Sequence, residues 1–547
     1  MIFQLSAQTL PSTASCGNQH HLEQDRVPLS RQLNDETALP EANGATIHVI
    51  NLQQLNVFNT DLPEEDNALF RFANRAHIQT KPEVIRSILL FQEGDVYEPK
   101  LLRESERLLR QQAYLYDARL YANVACNGDI HVTVVTRDLW TLLPDLGFRR
   151  SGGDNASRIG FRESNLFGYG KRLSLTYTKD VDRSGYTFIY EDPNILSSRY
   201  TGRLQYADND DGELHYASIA YPFFATDTPY SYGALSYSNR RTESQYERGE
   251  IINEFEQKST VQQIFFGYAD KLSHNWTRRT LFGLQHEEES FYALPTTTLP
   301  IATERSLLYP YVQWQWFEDN FTKVRNFDSI FRTEDLNLGW SLDAKLGYSD
   351  NHWQDDDSKA TFAISASRAM YLDERSLLRF ALNSQGQYLT EQSAWQNLIS
   401  SATVQYYLNT SYRDTWYASL SLQTASELTA DKQLTLGGET GLRGYPTKYQ
   451  QGDSLFLVNL EKRYYWEYDL WQLFKVGGAA FFDIGRVSGR PLFNQDHRVL
   501  KNLGVGLRLA PSRANANLML HFDVAVPLDK ADDVDSVQWL FTVKERF

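Results

Sequence analysis

Arg443 is the residue around which the chemistry of this chain gathers. It sits in Gly437-Gly438-Glu439-Thr440-Gly441-Leu442-Arg443-Gly444-Tyr445-Pro446, where glycines surround one guanidinium and a proline closes the run. Glycine permits tight and left-handed backbone and proline ends regular structure, so the run reads as a bent loop presenting Arg443 to a partner. Candidate partners lie just downstream. From Leu455 to Tyr464 the residues Phe456, Val458 and Leu460 fill even positions, while Asn459, Glu461 and Arg463 fill odd ones. From Phe474 to Ile484 the even positions are again apolar, and Asp483 falls on the opposite face. Strand residues alternate between faces, so Glu461 and Asp483 point away from the apolar side, each a natural counter-charge for Arg443. At about 4 Å such a pair is worth up to about 4 kcal/mol before desolvation is subtracted, in an effective dielectric near 20. That net value suits positioning a loop in a polar interior more than bulk stability.

Other chemistry finds little footing. His20 and His21 stand in a polar leader, and His215, His286 and His521 are isolated, without ligand spacing. A hydrolytic triad would need a serine, a histidine and an acid converging on one strand end, and serine and aspartate are too common here to nominate any. Asp355-Asp356-Asp357 lacks the alternation and terminal glutamate of a calcium loop and reads as a solvated turn. The expectation is a protein with no catalytic residues, no metal and no cofactor, and not an enzyme.

The elements that must position Arg443 are strands. From about residue 140 no helical period survives. Leu336, Leu338, Trp340, Leu342, Ala344, Leu346 and Tyr348 alternate with Asn337, Gly339, Ser341, Asp343, Lys345 and Gly347. Trp416 to Leu422, Leu503 to Leu509 and Leu518 to Val526 repeat the pattern. One wholly apolar and one polar face over such lengths fits membrane-crossing strands of about 9–11 residues. Soluble sandwiches more often use strands of about 5–6. At about 25 residues per strand and connection, the last 400 or so residues give about sixteen strands, within the range of bacterial barrels. The chain finishes inside such a strand, with Trp539, Phe541 and the terminal Phe547 on one face.

Ahead of the barrel, residues 1–44 are polar and aperiodic and read as a flexible leader, without the basic and apolar regions of a complete secretory signal. Residues 45–140 read as a small α+β domain. A strand starts at Ile47, a helix opens at Pro82 and stops at Gly94, and a second runs from Leu101 to roughly Tyr114. Strands at Tyr121–Ala125 and Ile130–Val135 follow, joined at Asn127-Gly128. Residues 141–547 are the barrel.

Composition bounds the class. A net charge of -15 argues against a nucleic-acid partner, whose binders carry basic surface. With 41% hydrophobic residues, a mean hydropathy of -0.49 and no run near eighteen apolar residues, a membrane helix is excluded and a membrane barrel is not. The 32 tyrosines and 30 phenylalanines suit aromatic girdles at the membrane surfaces, and would equally suit a large soluble β-sandwich. Cys16 and Cys126, in distant segments, carry no redox signature.

These residues resemble the BamA/TamA superfamily of outer-membrane assembly and translocation proteins, also called the bacterial surface antigen family, over about residues 45–547. Gly441-Leu442-Arg443-Gly444-Tyr445 resembles its loop motif, and Phe481-Phe482-Asp483-Ile484-Gly485 its strand motif. Glu163-Ser164-Asn165-Leu166-Phe167-Gly168-Tyr169-Gly170 is similar to the turn after the first barrel strand, Asp192-Pro193 to a further early signature, and Phe547 to the terminal barrel signal. The α+β domain resembles one POTRA module. The resemblance implies a sixteen-stranded barrel in the bacterial outer membrane, its N-terminal domain in the periplasm. Arg443 would fold into the lumen against Asp483 and Glu461, with a weak seam between first and last strands. It implies unfolded outer-membrane or exported proteins as clients, outer-membrane lipid around the barrel and periplasmic accessory proteins. β-Strand templating at a seam between Arg158–Ser164 and the terminal strand is the expected mechanism. A passive pore or structural barrel, and a secretion transporter for one exoprotein, are the alternatives.

Overall fold

The computed structural model describes residues 39–40, 44–63, 65–125, 128–151, 154–273, 275–327, 329–354, 357–489, 498–514, 518–529 and 532–544. The leader to residue 38, both cysteines, Asn127, Asp355, Asp356 and Phe547 lie outside them.

The N-terminal unit comprises β1 (Ile47–Leu55), α1 (Ala68–Ala76), α2 (Pro82–Ile88), α3 (Pro99–Arg110), β2 (Leu115–Val124) and β3 (Ile130–Asp138). The strands form a three-stranded sheet in the order β1-β3-β2, with β1 parallel and β2 antiparallel to β3. Each helix has a sequence-encoded start: Asn67 caps α1 by accepting from the Phe70 amide at 2.9 Å, and prolines open α2 and α3. Leu102, Ser105 and Leu109 put one face of α3 into a core with Ile85, Leu120 and Val132. Three expectations need correction. The second helix ends at Arg110, short of Tyr114, and the strand expected at Tyr121–Ala125 already starts at Leu115, which is buried in the core. Helix α1 was not anticipated, because ALFRFANRA carries apolar residues on two faces. Gly94 does not stop α2, which ends at Ile88; Gly94, at φ +96°, turns the chain six residues later.

The rest is a closed antiparallel barrel. Leu142–Pro144 and Gly147–Ser151 pair in one register with Asp154–Glu163, Leu142 opposite Glu163 and Gly147 opposite Arg158. They are one strand interrupted at Asp145 and Leu146. The twenty-one segments of the ring, two sharing one position, thus make twenty strands among the described residues. The expectation of about sixteen came from too generous an allowance: strand plus connection averages nearer twenty residues. Strands far from the closure are long, 18, 22 and 18 residues for Tyr230–Glu247, Glu250–Lys271 and Trp276–Ala293. Those near it shrink to 10 for Asp154–Glu163, 9 for Met519–Pro527 and 7 for Gln538–Lys544. The outer face is apolar and exposed, as at Ile159, Ile264, Phe266, Leu382 and Val505. No helix among the described residues is long and apolar enough to cross a membrane; the crossing is made by strands.

The long alternating run from Leu336 is two elements. Glu334–Asn337 pairs with Phe321–Val324 in a separate hairpin, and the barrel strand begins at Ser341. Gly339 makes the break, packed so tightly that a Cβ there would lie 2.3 Å from the Glu318 carbonyl oxygen.

Candidate functional site at the lumen loop and the seam

The loop between Asp414–Ser426 and Ser454–Leu470 folds into the barrel. Leu434–Leu436 pairs with Gln450–Gly452, and the tip between them turns through Gly437 and Gly441. A Cβ on Gly437 would come 2.3 Å from the Pro446 carbonyl oxygen, and Gly441 takes φ +112°, so the tip requires glycine at both positions. Arg443 meets Asp483 in a bidentate pair, Nε to Oδ2 at 2.9 Å and Nη2 to Oδ1 at 2.6 Å, and donates from Nη1 to Glu461 Oε1 at 2.7 Å. Its guanidinium lies 3.4 Å over the Phe481 ring.

Asp483, fully buried, accepts four hydrogen bonds. Besides the two from Arg443, Asn459 donates to Oδ1 at 2.7 Å and Asn502 to Oδ2 at 2.8 Å. Around this centre Arg463 donates to Glu461 at 2.8 Å, Arg508 to Asp523 at 2.5 Å, and Asp523 stands 3.6 Å from Arg443. Three arginines face three carboxylates across four consecutive strands. Paired and hydrogen-bonded in this way, buried charge is tolerated.

The flanking motif residues serve the same fit. The Gly444 amide donates to Asn502 Oδ1 at 3.1 Å, and a Cβ at 444 would sit 2.5 Å from that of Asn502. Tyr445 and Leu442 are buried with Leu436, Leu457, Val487 and Leu500, and the Tyr445 hydroxyl donates to the Lys501 carbonyl at 3.0 Å. Gly485 leaves room for the loop, since a Cβ there would press on Leu436 at 3.0 Å. Gly444→Val is therefore expected to cost about 1–3 kcal/mol by overpacking and to unseat the tip. Faster cleavage of the loop by an externally added protease, with a lowered melting temperature, is the outcome to look for.

The structure thus brings together Gly441, Leu442, Arg443, Gly444, Tyr445, Glu461, Phe481, Asp483 and Gly485, all singled out from sequence. It adds residues that sequence reasoning missed. Asn459, Asn502 and Asp523 occupy the same strand parity as the two carboxylates, a signal that was available. A second anchor on the far wall had none: Arg305 donates to Asp431 at 3.0 and 2.9 Å, and the Tyr246 amide to Gln433 at 3.0 Å. The loop spans the lumen from wall to wall.

A second body enters from the other end. The hairpin Phe321–Val324/Glu334–Asn337 carries Phe327 to 4.4 Å from Tyr407 and Ile330 against Tyr465 and Met519, on lumen-facing strand positions. It is latched to the N-terminal unit. Arg110 of α3 donates to Asp335 at 2.8 and 2.6 Å, Lys323 meets Glu106 at 2.6 Å, and Arg332 donates to the Leu115 carbonyl at 3.1 Å. Burial alone would raise the Glu106 pKa, but Arg110 and Lys323 outweigh it and hold it below the ordinary glutamate value. A depressed carboxylate contributes its stability above the unfolded-state pKa and loses it as pH falls through the depressed value. The latch is therefore expected to hold at neutral pH and release under acid, and Arg110→Ala to release it at neutral pH. Hydrogen exchange over 321–337 measures both.

The turn Glu163–Gly170 follows the second strand of the ring, not the first, and docks the N-terminal unit: Asn165 donates to Thr80 at 2.9 Å and the Lys81 amide to the Gly168 carbonyl at 2.9 Å. The first strand is accordingly Leu142–Ser151, and Arg158 lies one strand away from the closure. There, Arg150 and Phe541 form the only registered pair between first and last strands among the described residues. Every other neighbouring pair in the ring has seven to eighteen. Phe541 closes the outer side, 4.4 Å from Phe522 and 6.5 Å from Phe148, and Trp539 is exposed on the same face. Below that pair the strands part around a groove of about 820 Å³.

A closed barrel with an apolar exterior, preceded by an α+β module latched to its mouth, defines an outer-membrane protein of POTRA-barrel type. The family model described as haemolysin secretion/activation protein ShlB/FhaC/HecB matches residues 340–509, which hold Arg443, Glu461, Asp483 and Asn502. The POTRA model, described as surface antigen variable number repeat, matches residues 71–137. The resemblance to the BamA/TamA superfamily therefore holds, carried by both segments in the expected order. Similar solved structures include CdiB from Acinetobacter baumannii (14% identity, 92% of this chain and 74% of that one, TM-score 0.44) and CdiB from Escherichia coli (13%, 92% and 77%, 0.45). BamA from Haemophilus ducreyi lacking POTRA domains 1–3 is similar at 12% identity, over 91% of this chain and 84% of that one, with a TM-score of 0.38. A search of curated proteins finds no match.

Proposed function

We propose that this protein moves client polypeptides into or across the outer membrane by offering them the edge of its own sheet at the seam. The observation that carries this reading is the seam itself, held by one registered pair. An unpaired strand edge in lipid leaves N–H and C=O groups without partners, each costing several kcal/mol, and a client strand satisfies them by pairing. The two sides of the seam differ in stiffness. The charged cluster around Arg443 ties four strands up to Met519–Pro527, next to the last strand, whereas the first strand is two short pieces. The first strand is the side that yields. Short strands on both sides of the closure also favour a locally thinned bilayer.

Export of one dedicated exoprotein through the lumen is the second reading, favoured by the match to a secretion/activation family model across the plug loop. Comparing outer-membrane and secreted proteomes with and without the protein separates the two. Loss of several barrel proteins from the membrane supports seam-assisted insertion, loss of one secreted protein supports export, and no change in either leaves a passive pore.

A further inference from the structure

Helix α1 has two apolar faces, and the N-terminal unit uses only one. Phe70 turns inward and stacks on Phe58 at 4.0 Å. Leu69 and Phe72, one turn apart on the other face, are each 65% exposed, and Ala76 continues their stripe. Arg71 and Arg75 border that stripe and are exposed as well; Arg71 pairs with Asp66, itself exposed. An exposed apolar stripe flanked by arginines on a nine-residue helix calls for an occupant.

Its position names one. Leu69 and Phe72 line the groove below the Arg150–Phe541 pair, together with Leu146, Phe148, Leu520 and Val543. By strand parity these barrel residues belong to the outer, apolar face: Phe148 stacks with Phe541, and Leu520 and Val543 are register partners. The stripe on α1 thus continues the barrel's lipid-facing surface past its periplasmic rim, where Trp471 also projects, 71% exposed. Tryptophan at that level is a membrane-interface residue. Arginines beside the stripe complement lipid phosphates, and an amphipathic helix of this kind lies in the interface plane.

We propose that α1 is a membrane-surface helix, with Leu69 and Phe72 in the periplasm-side leaflet of the phospholipid bilayer beside the seam and Arg71 and Arg75 at its phosphates. The helix fixes the height of the POTRA unit against the membrane and keeps phospholipid at the open end of the seam. This goes beyond the client-handling reading and holds whether or not that reading does.

The test uses the full chain reconstituted in phosphatidylethanolamine/phosphatidylglycerol vesicles, with Cys16→Ser and Cys126→Ser and one fluorophore at Phe72→Cys or at Leu69→Cys. Val124→Cys, at the far end of the sheet and 49% exposed, is the control. Heat-modifiable migration confirms that each variant is folded. Lipids spin-labelled at the headgroup or upper acyl chain are expected to quench positions 69 and 72 at least about threefold more than 124, as a helix buried about 5–10 Å into the interface requires. Arg71→Glu with Arg75→Glu is expected to reduce that quenching. Equal quenching at 72 and 124 overturns the proposal. So does quenching at 72 that appears only when an unfolded client is added, which would assign the stripe to polypeptide.

Discussion

Replacing Asp483 with alanine is expected to open the barrel. The substitution removes four hydrogen bonds at one stroke and leaves the Arg443 guanidinium with Glu461 as its nearest remaining counter-charge. Breaking a buried, hydrogen-bonded ion pair from one side typically costs about 3–5 kcal/mol, because the surviving charge stays desolvated. The loop can avoid that cost by leaving its seat. Once Arg443 withdraws, Leu442 and Tyr445 lose their burial against the wall, and the loop is left to its far-wall contacts, Asp431 with Arg305 and Gln433 with Tyr246 among them. Planar-bilayer recordings are expected to show a small or intermittent conductance for the native protein and a large, sustained one for Asp483→Ala. Asp483→Asn keeps the shape and loses the charge, so an intermediate effect is expected. Arg443→Lys should resemble the alanine variant, since an ammonium cannot form the bidentate pair or stack over Phe481 in the same way. Unchanged conductance in all three would mean that the loop does not close the lumen.

The alternation of Phe456 to Tyr464 and Phe474 to Ile484 carried the essential site geometry. Once the period of two was recognised, the inward direction of Glu461 and Asp483 followed, and so did the lumen position of the glycine-bounded arginine. What stayed hidden was of three kinds. Strand number depends on connection lengths, and turns such as Asp180–Arg183 are shorter than an average allows, so the ring holds more strands than expected. The hairpin at 321–337 was masked because its second strand shares parity with the barrel strand after it, and only Gly339 marks the break. Contacts between distant segments, such as Asp431 with Arg305 and Asp335 with Arg110, leave no local pattern; they exist because the fold brings the residues together. Helix α1 was missed for the reason that makes it interesting: its second apolar face obscures the period.

The seam carries the second large expectation. Arg150 and Phe541 face each other in antiparallel register, where Cα atoms lie about 4.5–5.5 Å apart, within the range that a disulfide spans. Cysteines at these positions, in a chain lacking Cys16 and Cys126, should therefore close on oxidation without moving the backbone. A matched pair at Arg203 and Ser218, register partners inside the wall, controls for oxidation itself. In vesicles supplied with an unfolded outer-membrane barrel, the folded client is then counted by heat-modifiable migration and protease protection. The reduced protein and the oxidised wall-locked control are expected to insert clients alike, and the oxidised seam-locked protein at least about tenfold more slowly, with full recovery on reduction, as the proposal that edge pairing lowers the barrier requires. Undiminished insertion by the seam-locked protein would contradict the account.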